Sequence, residues 1–244
     1  MQWLQPQWPA PSKIKSYTST RLGGFSRAPY DSFNLANHVG DELFNVRQNR
    51  QLLKSQLHIP SDPCWLNQVH STKVIQIEQP LREAVEADAS FTRKLSIVCA
   101  VLTADCLPLL VCDKKGTTIA SIHAGWRGLA GGVIDKTIAA LDLPSSQLLV
   151  WLGPAISQSC FEVGNEVKEK FDRLDYNTDK AFCQKADGKW LLDIYQIARA
   201  NLNDLGIENI YGGDQCTFRQ GDKFFSYRRD GITGRMASII WMQE

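Results

Sequence analysis

Apolar residues fall into two kinds of run along this chain, and each kind predicts a different element. Over residues 41–57 the apolar positions Val46, Leu53 and Leu57 lie near helical spacing, Asp41 stands where an N-cap would, and Pro60 closes the segment. A helix is predicted there, with Arg47, Arg50 and Lys54 on an exposed basic face. Short runs at 64–66 and 74–77 and longer ones at 95–103, 107–112 and 117–122 predict buried strands, with Asp113 to Gly116 as a hairpin turn. Helices are predicted near 131–141, at 165–172 and at 193–204, the last with Ile194, Ile197, Ala198 and Leu205 on one face. A strand over 147–152 stops at Gly153-Pro154, and a final strand runs over 236–241. Strands and helices mixed throughout predict an α/β or α+β class. No repeat or long linker divides residues 1–244, so one layered domain is expected, with its strand order left open.

Charge and composition narrow the function classes. Lys and Arg number 27 against 26 Asp and Glu, a net charge of +1, which argues against a nucleic-acid-coating protein. The longest apolar stretch is broken by Thr103, Asp105 and Pro108, short of the ~18 apolar residues that a spanning helix needs. The first residues lack a basic region followed by an apolar one, so no export leader is expected. Seven cysteines, an odd number without close pairs, predict reduced thiols and a cytoplasmic location.

Candidate chemistry starts from scarcity, because the chain has only four histidines. His70 and His123 both sit at predicted strand ends, and Cys106 lies between two apolar half-strands in Thr103-Ala-Asp-Cys-Leu-Pro108. Cys106 and His123 join adjacent strands through the hairpin, which can bring them to one end of a sheet. Two imidazoles and a thiolate would form a three-ligand zinc site with an open fourth position. Asp105, costly to bury unpaired, could then hold an imidazole N–H. Against this stands the plainer reading of a small buried thiol and hydrogen-bonded histidines.

Two further clusters suit an oxyanion. Gly125, Gly128, Gly131 and Gly132 lie between a strand and a helix beside Arg127, where converging backbone N–H groups could meet a phosphate. The alternative is a tight structural turn. Arg228, Arg229 and Arg235 surround Gly231 and Gly234, and guanidinium forks match oxyanions.

Taken together, several segments resemble the YfiH/YlmD-like family, known as polyphenol oxidoreductase laccase-domain proteins and as purine nucleoside phosphorylases. They are Thr20 to Ser26, Asn34 to Asp41, Asn67-Gln-Val-His70, Thr103 to Pro108, His123-Ala-Gly-Trp-Arg-Gly128, Leu152-Gly-Pro154 and Ser226 to Arg235. The resemblance implies metal ligands at His70, Cys106 and His123 and a single layered α/β domain similar to a Cys/His toxin deamidase. Ser71 and Ser157 stand where relatives often carry Gly.

Three reaction classes compete. A four-copper oxidase needs more imidazoles than four histidines supply, although a His₂Cys set could bind one Cu²⁺ with Met236 or Met242 as a weak axial ligand. A Cys-nucleophile hydrolase or amidase, editing peptidoglycan precursors as some relatives do, would use Cys106 with His123 and Asp105. The resemblance favours Zn²⁺-dependent phosphorolysis of adenosine, inosine or methylthioadenosine, accompanied by adenosine deamination. Its partners would be a small nucleoside and phosphate, with no nucleic acid or membrane, in a monomer or homodimer. A regulatory metal-binding or partner-binding module is the non-enzymatic alternative.

Overall fold

A computed structural model describes residues 3–244. In chain order it runs β1 (Trp3–Leu4), β2 (Ile14–Ser19), α1 (Leu43–Gln56), β3 (Leu66–Asn67), β4 (Val74–Gln76), β5 (Val85–Glu86), β6 (Ala89–Thr92) and β7 (Val98–Thr103). Then come β8 (Leu107–Asp113), β9 (Ile119–Ala124), α2 (Trp126–Ala130), α3 (Val133–Leu141), β10 (Leu148–Leu152), β11 (Glu162–Val163) and α4 (Asn165–Phe171). The chain ends with β12 (Phe182–Gln184), β13 (Trp190–Leu192), α5 (Ile194–Asp204), β14 (Ile210–Gly212), α6 (Tyr227–Asp230) and β15 (Met236–Met242).

Successive side chains of a strand point to opposite faces, so a run that is apolar at every position needs cover on both. The central strands are built this way. In β8, Leu107, Leu109 and Val111 face a core shared with Ile134 and Ile138 of α3 and Ile197 and Leu202 of α5. Leu110 and Cys112, on the opposite face, join Cys99 of β7 and Ile240 of β15 in a second core. Val98, Ala100 and Leu102 of β7 meet Leu53 of α1 in a third. The result is four layers: α1, a sheet ordered β1-β2-β15-β7, a sheet ordered β14-β10-β8-β9-β6-β4, and α3 with α5. The mixed α/β class expected from the sequence is the observed one. Two small sheets, β11-β13-β12 and β3-β5, lie outside these layers. Among the described residues no helix is long and apolar enough to cross a membrane.

Several local expectations are corrected. Asp41 is not the cap of α1: Glu42 is, and the Asp41 carboxylate accepts from Ser26 Oγ, Asn34 Nδ2 and the Glu42 N–H. Arg50 leaves the exposed face and leans over the Trp65 ring. Strand β7 starts at Val98, because Ser96 has a positive φ of 63° and Leu95 is exposed. His123 lies inside β9 rather than after it. The expected glycine-rich turn contains the short helix α2, with Gly132 at φ 85° breaking it from α3. Strands β2 and β6 lack a long apolar run and are not evident in the sequence.

Candidate metal centre and its cavity

Hairpin β8–β9 does what the sequence predicts of it. Pro108 pairs with His123 across the ladder, which places Cys106, just before β8, beside the end of β9. His70 reaches the same point from the loop after β3, at a positive φ of 59°. One donor atom from each of His70, Cys106 and His123 lies within 4.8 Å of the others. Cys106 Sγ is 3.8 Å from His70 Nε2, and the two imidazole rings meet edge to face at 4.8 Å.

Asp88 organises this trio. Its fully buried carboxylate faces His123 Nδ1 at 2.8 Å and accepts the backbone N–H groups of His70 and Ser71 at 3.0 and 2.6 Å. The Ser71 hydroxyl donates to it as well, adding a further bond to the centre. Burial would raise the Asp88 pKa, but hydrogen bonds from His123 and Ser71 outweigh it and hold the carboxyl at about 2. Asp88 therefore holds the Nδ1–H of His123 and leaves Nε2 turned to the site. Burial likewise opposes charge on Cys106 and His123, yet each stabilises the other. The thiol is lowered to about 6 and the imidazole raised to about 9.

The orienting role expected of Asp105 belongs to Asp88. Both Asp105 oxygens are engaged elsewhere, one by Thr217 Oγ1 at 2.5 Å and the other by the Arg228 N–H at 2.7 Å. Asp105 adopts φ 89°, and its strained backbone turns Cys106 toward the histidines while its side chain ties down the 226–235 segment.

A cavity of about 570 Å³ opens over the trio, lined by Trp126, Phe161 and Tyr227 as well as by Arg127, Arg228 and Arg235. The arginines differ sharply. Arg229 does not line the cavity: its guanidinium donates to the carbonyls of Thr217, Phe218 and Phe224 and pairs with Asp230. Every N–H it has is used, so the expectation that it binds an oxyanion is corrected. Arg235 donates only through Nη1, to the carbonyls of Thr233 and Gly234. Burial lowers its pKa, and Cys106 and Asp105 oppose the shift. Arg228 bonds the Glu162 carbonyl and lies over Phe161, whereas exposed Arg127 lies over Trp126.

The glycine run serves close packing rather than an open cradle. A Cβ on Gly125 would sit 2.9 Å from both Cys106 Sγ and His70 Cδ2, and one on Gly131 would meet Thr72 at 2.8 Å. Neither Met236 nor Met242 lines the cavity; Met236 Sδ accepts the Phe225 N–H, and Met242 packs in the core between the sheets. The axial thioether considered for copper is thus not supplied by these two residues.

A family model described as multi-copper polyphenol oxidoreductase laccase matches residues 15–243. The chain belongs to that family. Among its relatives, purine nucleoside phosphorylase YfiH of Shigella flexneri is 48% identical over 98% of both chains. A purine nucleoside phosphorylase of Haemophilus influenzae is 47% identical over the full length of each. A crystal structure of a Neisseria meningitidis protein of the DUF152 family superposes with a TM-score of 0.96 at 46% identity, covering both chains fully. YlmD from Geobacillus stearothermophilus gives 0.94 at 27% identity, over 100% of this chain and 97% of that one.

The donor set fits a metal. Zn–S near 2.3 Å and Zn–N near 2.0–2.1 Å at a tetrahedral angle put ligand atoms about 3.6 Å apart. The observed 3.8 Å between Cys106 Sγ and His70 Nε2 is close to that edge. Asp88 on the far nitrogen of His123 completes the carboxylate–histidine arrangement common around zinc ligands.

Proposed function

We propose that this protein is a zinc-dependent purine nucleoside phosphorylase acting on adenosine, inosine or methylthioadenosine, with adenosine deamination as a companion activity. The observation that carries this reading is a His₂Cys donor set at the floor of a cavity rimmed by arginines, in a chain whose relatives are named purine nucleoside phosphorylases. His70, Cys106 and His123 would hold the ion, which when bound supplies Lewis acidity and lowers the pKa of a coordinated water.

Phosphorolysis requires a phosphate oxygen to reach the anomeric carbon while the purine leaves with its bonding electrons. Arg235, with Nε and Nη2 unbonded among the described residues, is the best-placed guanidinium to hold the phosphate. Arg127 and Arg228 add positive charge at the rim. Trp126, Phe161 and Tyr227 offer flat apolar faces to the base. Asp88 keeps the His123 ring fixed throughout, so the donors need no rearrangement as charge develops.

A second reading has its own support. A thiol lowered to about 6 beside His123, itself paired with Asp88, is the layout of an activated cysteine nucleophile. A hydrolase or amidase of this type would not need phosphate. One experiment separates the two: purified protein is incubated with adenosine, with and without phosphate, and the products are resolved. Phosphate-dependent adenine release supports phosphorolysis, whereas release indifferent to phosphate returns the protein to the hydrolase class.

A further inference from the structure

Beside the metal cavity lies a second, smaller one of about 240 Å³, and the two share His38 and Leu102 as a common wall. Its distinguishing residue is Arg50 of α1. That guanidinium is half-buried and among the described residues donates only through Nε, to the Leu35 carbonyl at 3.0 Å, while its Cζ lies 4.2 Å from the centroid of the Trp65 ring. Neither of its terminal nitrogens meets a carbonyl or carboxylate among the described residues. Burial pulls its pKa down to about 10, with no acidic neighbour opposing the shift. Arg229 has all five N–H groups satisfied by protein acceptors, whereas four of those of Arg50 meet none among the described residues and stay open to a ligand.

Arg82, Asn37 and Glu83 line the same cavity, and among the described residues neither Arg82 nor Glu83 makes an ion pair. Burial, together with the positive charges of Arg235 and Arg50, lowers the pKa of His38. A half-buried guanidinium with idle donors and a second arginine, set against the single carboxylate of Glu83, give this concave surface a surplus of positive charge. Trp65 and Leu102 add an apolar bed. At about 30 Å³ per water the volume would hold roughly eight waters, room for more than a bare oxyanion.

We propose that the cavity formed by Arg50, Trp65, His38, Asn37, Arg82 and Leu102 is a separate anion subsite that takes a phosphate group, best when carried on an organic molecule as a phosphate monoester. It binds without turnover and stands apart from the reaction assigned to the metal centre.

Trp65 provides the readout, because an anion on Arg50 changes the field over the indole beneath it. Full-length protein is titrated with inorganic phosphate and, separately, with adenosine 5′-monophosphate, following tryptophan emission in wild type and in Trp65→Phe. The expected result is a saturable change that Trp65→Phe lacks, reached with the monophosphate at least tenfold below the phosphate concentration required. Equal or tighter response to inorganic phosphate would assign the subsite to the free ion. Arg50→Gln should abolish the change while metal content and circular dichroism stay at wild-type values. Should that variant fold poorly, Arg82→Gln, at an exposed side chain, should weaken binding at least threefold. No Trp65-dependent change with either anion, or an undiminished change in both arginine variants, would overturn the proposal. Failure of phosphorolysis would leave this binding readout standing.

Discussion

Asp88 and Asp105 are both buried carboxylates next to the His70–Cys106–His123 trio, one bonded to His123 and the other preceding Cys106 in the chain, and they do opposite kinds of work. Asp88 gathers His123 Nδ1 and the backbone of the loop that bears His70, so it positions two of the three candidate metal ligands at once. Asp105 turns its back on the imidazoles and holds Thr217 and the Arg228 backbone, so it positions the rim of the cavity and not its floor. The difference teaches that a buried charge near a site must be assigned by what its oxygens reach. Nearness in sequence to Cys106 is a poor guide.

Substitutions at the two positions should therefore separate. Asp88→Ala is expected to have the largest effect, lowering zinc affinity about 10–100-fold or more and costing roughly 3–5 kcal/mol of stability as the buried pair is broken. Chelator competition and denaturant unfolding measure the two losses. Unchanged zinc affinity would strip Asp88 of its organising role. The rim arginines extend the comparison: Arg235→Ala should weaken phosphate use about 10–150-fold, the equivalent of losing one charge-assisted hydrogen bond. Arg229→Ala should instead lower the melting temperature, because its donors all serve backbone carbonyls and Asp230. Equal losses of phosphate use in both variants would erase the distinction.

Asp105→Asn should leave zinc affinity within about threefold of wild type while costing roughly 1.5–3 kcal/mol through weakened charged hydrogen bonds. A loss of zinc as large as that of Asp88→Ala would reverse the assignment. The smallest effect is spectroscopic. In metal-stripped protein, thiolate absorbance should rise with a midpoint near pH 6, set by Cys106. Stabilisation by this lowered thiol is lost as pH falls through about 6, and that by the raised His123 is lost as pH climbs through about 9. The zwitterionic pair thus belongs to the window between them. A midpoint near the ordinary thiol value of ~8.5 would remove the pairing.

The gathering of His70, Cys106 and His123 at one point was legible because histidine is scarce here and the hairpin between Cys106 and His123 has a readable turn. Asp88 was not, although the argument that singled out Asp105 applies to it equally: Ala-Asp-Ala-Ser-Phe-Thr also sets a carboxylate at the head of a buried run. Its partners come from loop 69–71 and from β9, and only the pairing of β6 with β9 brings them to one point. Arg229 and Arg235 look alike in sequence and differ in which carbonyls surround them, a matter of tertiary packing. The layers followed from doubly apolar strands such as β7 and β8, whereas short strands like β13 take their form from neighbours that the local pattern does not reveal.

Whether this arrangement performs nucleoside phosphorolysis is tested most directly by identifying the sugar product from inosine in zinc-loaded protein supplied with phosphate. The account predicts ribose 1-phosphate in equal amount to hypoxanthine, lost in Cys106→Ser and on omission of phosphate. Free ribose in its place, or hypoxanthine release that persists unchanged in Cys106→Ser, would contradict it.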